Sequence, residues 1–439
     1  MRRGYALPAA CIFLAAQAQG AQMQAARMQA AQARSVQATP DPVAALVARL
    51  DLERYKQALR GLTRFGDRRE GTARNRAALD WIESQLRAAG CSGIERLDYD
   101  FAPVPRAARG AGARGRGHEG EGAIASGEQR PGVGGSRLRG VVARTGVNES
   151  PDAQPDAALR ALDAEPSVPG ARQDIYCTKV GDSRPQEMYI VSAHMDGIGW
   201  GEAANDDGSG VALVLELARV LNGPDVHAAR SIRFILWNNE ETGLDGSRAY
   251  VRQRAGLQGR EQPAGSGRYP EPRWLGVIQH DMLLYDHGMP RADGTLPPRQ
   301  RAEADINVEF QADSARAADA MQLAFALRTA NERHASDYPA TVGPHMTHTD
   351  SEPFMDIAPA VSVRENERGM QIGAGWDPHW HQPTVLYATF GDDDFRLGLN
   401  AAQTTLGAVA QLAGATLATQ QAAAAPPMAN PLEPTGDRR

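Results

Sequence analysis

The sequence predicts an α/β fold, a three-layer α/β/α sandwich on a mixed, largely parallel central sheet. Three observations carry that expectation. Continuous apolar runs at Met188–Ala193, Ile232–Trp237 and Leu275–Gln279 have the length and composition of strands buried on both faces. Stretches at helical spacing lie between such runs; Val211, Val214, Leu215, Ala218 and Leu221 form one apolar stripe. Strands that alternate with helices pair largely in parallel, with helices on both faces of the sheet.

The elements follow in order along the chain. From Pro40 to Gly90 the periodicity is helical, with Leu79, Ile82 and Leu86 on one face and Gly90 as a stop. Leu97, Tyr99 and Phe101 alternate as a strand with one buried face. Residues 103–170 are rich in Gly, Ala, Arg and Pro and nearly free of aromatics. Such a stretch buries too little surface to offset its ordering entropy, so it reads as a mobile surface insertion between two strands. Strand character resumes at Ile175. Gly243–Arg252 and Ala315–Asn331 read as helices and Ala358–Val363 as a short strand. Phe395, Leu399, Ala402, Leu406, Val409 and Ala413 mark a closing helix. These elements make one domain over residues 40–419, followed by a disordered tail at 420–439.

Composition narrows the function. Of 439 residues, 47 are Lys or Arg and 53 are Asp or Glu, a formal charge of −6. A mildly acidic chain without a concentrated basic stripe is not built for nucleic acid. No run reaches the roughly 18 apolar residues of a membrane span. Arg2 and Arg3, the apolar run Ala6–Ala16 and the small-x-small Ala16-Gln17-Ala18 read as a signal peptide over residues 1–18. A Gln/Ala/Met-rich linker at 19–39 follows. The expectation is export to the periplasm or medium, with no stable membrane association after cleavage. Cys11 leaves with the signal, so Cys91 and Cys177 remain. An oxidising compartment favours bridging them, and two separately buried thiols are the alternative.

Ligands of open α/β sheets sit at the carboxyl ends of the strands. There His194-Met195-Asp196 ends the first apolar run, Glu240-Glu241 the second and Asp281 the third. Asn205-Asp206-Asp207-Gly208-Ser209-Gly210 leads into the helix after the first. Asp206 and Asp207 alone could be helix caps. Acids and an imidazole gathered at three strand ends, however, are costly to bury without a compensating cation. A divalent metal is the economical explanation, and His with Asp and Glu suits catalytic rather than structural zinc.

These residues resemble the two-zinc exopeptidases that include bacterial leucyl aminopeptidase and plasma glutamate carboxypeptidase. The resemblance runs from about residue 174 to 417. It rests on A-H-M-D at 193–196, N-D-D-G-S-G at 205–210, N-E-E-T-G-L-D-G-S at 239–247, H-D-M at 280–282 and W-H-Q-P-T at 380–384. It implies a zinc exopeptidase-like sandwich with two divalent ions, zinc by preference. Asp206 would bridge them, His194 and Asp281 completing one site and Glu241 and His381 the other. Asp196 would orient His194 from behind. Glu240 would be the general base, taking a proton from a metal-bridging water and returning it to the leaving amine. A cis peptide between Asp206 and Asp207 is also implied.

His381 is preferred over His379, His345 and His348 because it precedes Gln382-Pro383. The chain departs from the family at Val385, where an Asp often follows that proline, which implies a weaker metal site. It departs again at Ser351, where a His follows the Asp; Asp350 then reads either as a substrate-positioning group or as a loop hydrogen-bonder. Trp200, Tyr285 and the Pro344–Phe354 loop are expected to line the pocket.

The resulting expectation is an exported metallopeptidase of aminopeptidase type acting on peptides. A carboxypeptidase or dipeptidase on the same fold is the alternative. The one-zinc glutaminyl cyclase branch fits less well, because both His194 and Asp281 are present. A catalytically silent binding domain would have lost ligands or base, and a two-metal phosphoesterase shares only the metal chemistry.

Overall fold

Eight strands form one sheet in the computed structural model, which describes residues 41–101, 147–288, 295, 297–344, 346, 348–365 and 377–418. Helices α1 (Pro42–Val47), α2 (Leu52–Thr63) and α3 (Ala73–Ala88) lead to β1 (Glu95–Phe101). Then come α4 (Ala157–Asp163), β2 (Gly170–Lys179), β3 (Arg184–His194), α5 (Gly208–Leu221), β4 (Val226–Ala228), β5 (Arg230–Trp237) and α6 (Asp245–Arg254). The chain continues through β6 (Arg273–His280), β7 (Ile306–Glu309), α7 (Ala317–His334), β8 (Ala340–Gly343) and β9 (Ala360–Arg364), and closes with α8 (Asp392–Ala413) and β10 (Ala415–Leu417).

The sheet order is β1-β2-β5-β3-β6-β9-β7-β8. Its centre, β5, β3, β6 and β9, is parallel. The antiparallel joins lie outside it, at β1–β2, β2–β5 and β9–β7. Strand β3 shows why both faces are covered. Tyr189, Val191 and Ala193 enter the core packed under α2, α5 and α8, whereas Met188 and Ile190 enter a second core with Trp237, Tyr250, Trp274 and Phe354. Alternation of side chains along a strand thus feeds two apolar layers. Helix α5 is buried along nearly its whole length, matching its largely apolar sequence.

The helical pattern read over 40–90 is realised as three helices. Asp41, Asp51 and Thr72 each accept a backbone N–H at an N-terminus, so the divisions are capped from within the sequence. Strands β4, β7, β8 and β10 were not expected; at three or four residues each they are too short to show a period. Cys91 and Cys177 form a disulfide, with Cα atoms 6.0 Å apart, joining the end of α3 to β2.

The insertion expected over 103–170 needs a correction in its last part. Residues 147–169 lie at the surface, most of them exposed, but are strapped to the body by polar contacts. Arg74 lies 2.5 Å from Asp67 and 3.6 Å from Asp163 of α4, all three buried. Glu165 accepts the N–H groups of Ala73 and Arg74 at the start of α3. An argument from apolar burial overlooks a segment held by charge and caps. The rest of that stretch, the signal peptide with its linker and the C-terminal tail lie outside the described residues.

Candidate active site

The carboxyl ends of the parallel strands gather the expected residues. His194 is the last residue of β3, Asp206 lies in the loop before α5, and Asp281 directly follows β6. Glu240 and Glu241 occupy a turn after β5 rather than the strand itself, closed by the N–H groups of Gly243 and Leu244 on the Glu240 carbonyl. His381 arrives from the loop before α8. All six are buried.

Asp206 stands between two groups. Its Oδ1 is 3.1 Å from His194 Nε2, which lies 3.9 Å from Asp281 Oδ1. Its Oδ2 is 3.1 Å from His381 Nε2, which lies 3.0 Å from Glu241 Oε2. Within each trio the donor atoms lie within 4.8 Å of one another. His194 Nε2 and both Asp206 oxygens are buried and make no hydrogen bond among the described residues. Buried polar atoms are rarely left so, and nitrogen and oxygen donors converging on two points fit a pair of divalent cations.

The supporting contacts differ from expectation at Asp196. His194 Nδ1 lies 3.1 Å from the Asp196 backbone carbonyl and 3.8 Å from its carboxylate. The carbonyl therefore fixes the ring, with Nδ1–H donating and Nε2 turned to Asp206. The carboxylate instead accepts the N–H of Glu240 at 3.1 Å and of Glu241 at 3.3 Å. Asp207, joined to Asp206 by a cis peptide, accepts the N–H of His194 at 3.0 Å and of Gly210 at 2.9 Å. It caps α5 and pins the end of β3 at once.

Two positioning residues escaped sequence reading. Arg68, fully buried, donates to the carbonyls of Met195, Glu202 and Ala203 and so shapes the loop before Asp206. Asn205 donates from Nδ2 to Glu365 and Asp377, while its Oδ1 accepts the N–H groups of Leu283 and Leu284. One carboxamide thus joins the loops that carry Asp206, Asp281 and His381. Asn205 belongs to a quoted motif, but Arg68 has no local signal.

The His381 loop is held from the strap. Asn148 N–H donates to the His381 carbonyl at 3.0 Å, and Gln154 Nε2 donates to the carbonyls of Trp200 and Pro383. Val385 contributes through its backbone, its carbonyl accepting the N–H groups of Glu202 and Ala204. Gly199 at φ +101° lies so close that a Cβ there would meet the His381 carbonyl at 2.4 Å. His379 is half-buried and bonded through Nδ1 to Thr384, and His348 lies outside both trios. His345 lies outside the described residues. Tyr285 is buried and stacked on His287 at 4.0 Å, and Trp200 is half-buried beneath the Arg69 guanidinium. Asp350 is buried and accepts the Ser247 hydroxyl at 2.5 Å.

Charge is concentrated here. Burial opposes ionisation of Asp206, but the His194 and His381 imidazoles outweigh it and hold its carboxyl well below the usual range. Burial also lowers His381, yet Glu241 and Asp206 overcome this and raise it to about 9. Burial pushes Asp196 up to about 7, opposed by His194 and reinforced by Glu241 and Glu240. Without a cation the cluster therefore retains protons on its imidazoles, which a metal ion must displace.

Residues 175–388 match the model of peptidase family M28. All five candidate ligands and Glu240 fall inside that match, so it coincides with the exopeptidase resemblance drawn from the motifs. The probable lipoprotein aminopeptidase LpqL of Mycobacterium tuberculosis is 46% identical over 81 residues, 18% of this chain and 16% of that protein. Carboxypeptidase Q of Xenopus laevis is 34% identical over 71 residues, 16% of this chain and 15% of that protein. The matches thus span about one-sixth of these curated relatives. Among solved structures, the zinc aminopeptidase BSAP from Bacillus subtilis superposes with a TM-score of 0.53 at 16% identity, covering 83% of this chain and 95% of that one. At that identity the likeness is one of fold.

Proposed function

We propose that the chain is a zinc-dependent exopeptidase that hydrolyses the peptide bond after a free N-terminal amino acid. The observation that carries this reading is Asp206, which offers one oxygen to each trio beside the buried Glu240. His194, Asp206 and Asp281 would hold one divalent cation, and Asp206, Glu241 and His381 the other. When bound, the pair would polarise the scissile carbonyl and acidify the attacking water. Glu240 takes a proton from that water as its oxygen adds to the carbonyl carbon. The same carboxyl returns the proton to the amine nitrogen as the C–N bond breaks. Asp196 holds the Glu240 backbone for this task, and burial keeps competing water from the carboxylate.

Aminopeptidase names among the relatives support reading the N-terminus. Carboxypeptidase Q supports the second reading, in which a free carboxylate is recognised instead. Export is part of the proposal. It is supported by the Cys91–Cys177 disulfide, which suits an oxidising compartment, and by a relative described as a lipoprotein. No helix among the described residues is long and apolar enough to cross a membrane.

The test is mass-spectrometric product analysis on short peptides with free or blocked ends, with and without a chelator. The expected result is stepwise loss of N-terminal residues from unblocked peptides only, abolished by the chelator. Cleavage that tolerates a blocked N-terminus but needs a free carboxylate establishes the second reading. No cleavage by folded, metal-loaded protein overturns both.

A further inference from the structure

We propose that Arg364 weakens cation binding at the His194–Asp206–Asp281 site and so makes it the more exchangeable of the two. This rests on the two-metal reading above. Arg364 is the last residue of β9 and 1% exposed. Its Nη2 lies 3.0 Å from Asp281 Oδ2. Its Nε lies 3.7 Å from Glu309 Oε2, on the buried strand β7.

Sheet register enforces the contact. Strands β6 and β9 are parallel with His280 opposite Val363, and the Asp281 N–H continues the ladder to the Val363 carbonyl at 3.2 Å. The next residues along each strand, Asp281 and Arg364, are thereby neighbours, and the register keeps their side chains within reach of each other.

Two consequences follow for Asp281. Its Oδ1 faces His194 while its Oδ2 is engaged by the guanidinium, so it offers a cation one oxygen rather than two. A guanidinium also stays charged at any working pH, and it neutralises part of the carboxylate's charge. At the other trio Glu241 faces an imidazole, a partner that becomes neutral when it ligates. A hydrogen bond behind a metal ligand usually strengthens binding by orienting it. A permanent positive charge behind a carboxylate acts electrostatically in the opposite sense, and the two effects predict opposite signs for its removal.

The experiment is titration of metal-free, full-chain protein with Co2+, following the visible absorption bands, and with Zn2+ against a chromophoric chelator. Wild type is expected to fill in two resolved steps. Arg364→Met should strengthen the weaker step about tenfold, equivalent to about 1.4 kcal/mol, and change its cobalt spectrum. The tighter step should move little. Arg364→Lys, which keeps the charge, should preserve the gap. Should Arg364→Met fail to fold because the buried Glu309 loses the guanidinium beside it, Arg364→Met with Glu309→Gln carries the same measurement. His381→Ala should remove the tighter step and leave the Arg364-sensitive one. A weaker step that is unchanged or further weakened by Arg364→Met overturns the proposal. A wild type that binds no ion overturns the two-metal reading with it.

Discussion

The carboxylate of Asp196 accepts the Glu240 N–H at 3.1 Å, and that bond sets the turn after β5 against the end of β3. The neighbouring Glu241 N–H adds a second bond to the same carboxylate. The proposed base and the proposed metal ligand are thus placed by one acidic side chain two residues beyond His194. Replacing Asp196 by Ala removes both acceptors. Zinc affinity should fall about 10- to 100-fold, measured by chelator competition, with turnover falling in parallel. Zinc binding as tight as in wild type would show that the turn holds its shape unaided.

Glu240→Gln separates proton transfer from metal binding. The substitution keeps the side chain's shape and removes its basicity. Turnover should drop about 10²- to 10⁴-fold, while zinc content and melting temperature stay near wild type. Near-normal peptide release by a zinc-loaded variant would reject Glu240 as the base.

Proton linkage gives an expectation for the metal-free protein. His381 titrates at about 9 when folded, against an ordinary value of 6.5. Between those values the folded state holds a proton that the unfolded chain has lost, so stability falls as pH rises through this window. The contribution is fully present below about 6.5 and gone above about 9. Zinc held by His381 would expel the same proton, so its affinity should rise with pH over the same range. Thermal melts at pH 6, 7, 8 and 9 with and without zinc check both slopes; metal-free stability that increases towards pH 9 contradicts the assignment.

Gln154 tests the strap. Its amide donates to the Trp200 and Pro383 carbonyls from a site 1% exposed. Gln154→Ala should cost about 1–3 kcal/mol by leaving these carbonyls unmet, read from urea unfolding. It should also loosen zinc at the His381 site, read by chelator competition. Full stability would mean that water replaces the amide.

The sequence made the parallel centre and the chemical residues legible for the same reason. Long apolar runs mark β3, β5 and β6, and polar residues at the ends of such runs stand out against them. Strands β7 and β8 carried no such mark, being four residues each and recognisable only through their partners. Arg68 and Arg364 were illegible for another reason. Each is one arginine among many, and its meaning comes from carbonyls or carboxylates distant in sequence. Asp196 lies beside His194, but backbone geometry, which no motif records, gave its carboxylate the Glu240 and Glu241 N–H groups as partners. The strap at 147–169 was missed because capping and ion pairs, rather than apolar residues, hold it down.

The five candidate ligands come from five separate loops or strand ends, between residues 194 and 381, and the two nearest in sequence are His194 and Asp206. In an extended chain no two of these five residues are therefore close enough to chelate one ion, and neither trio exists until β3, β5 and β6 are side by side and the last loop has docked. Metal uptake becomes a signature of correct topology, since a collapsed but misregistered chain lacks it. In a purified preparation, the number of tightly held zinc ions per chain then counts natively assembled molecules, which an optical signal from helix content cannot do.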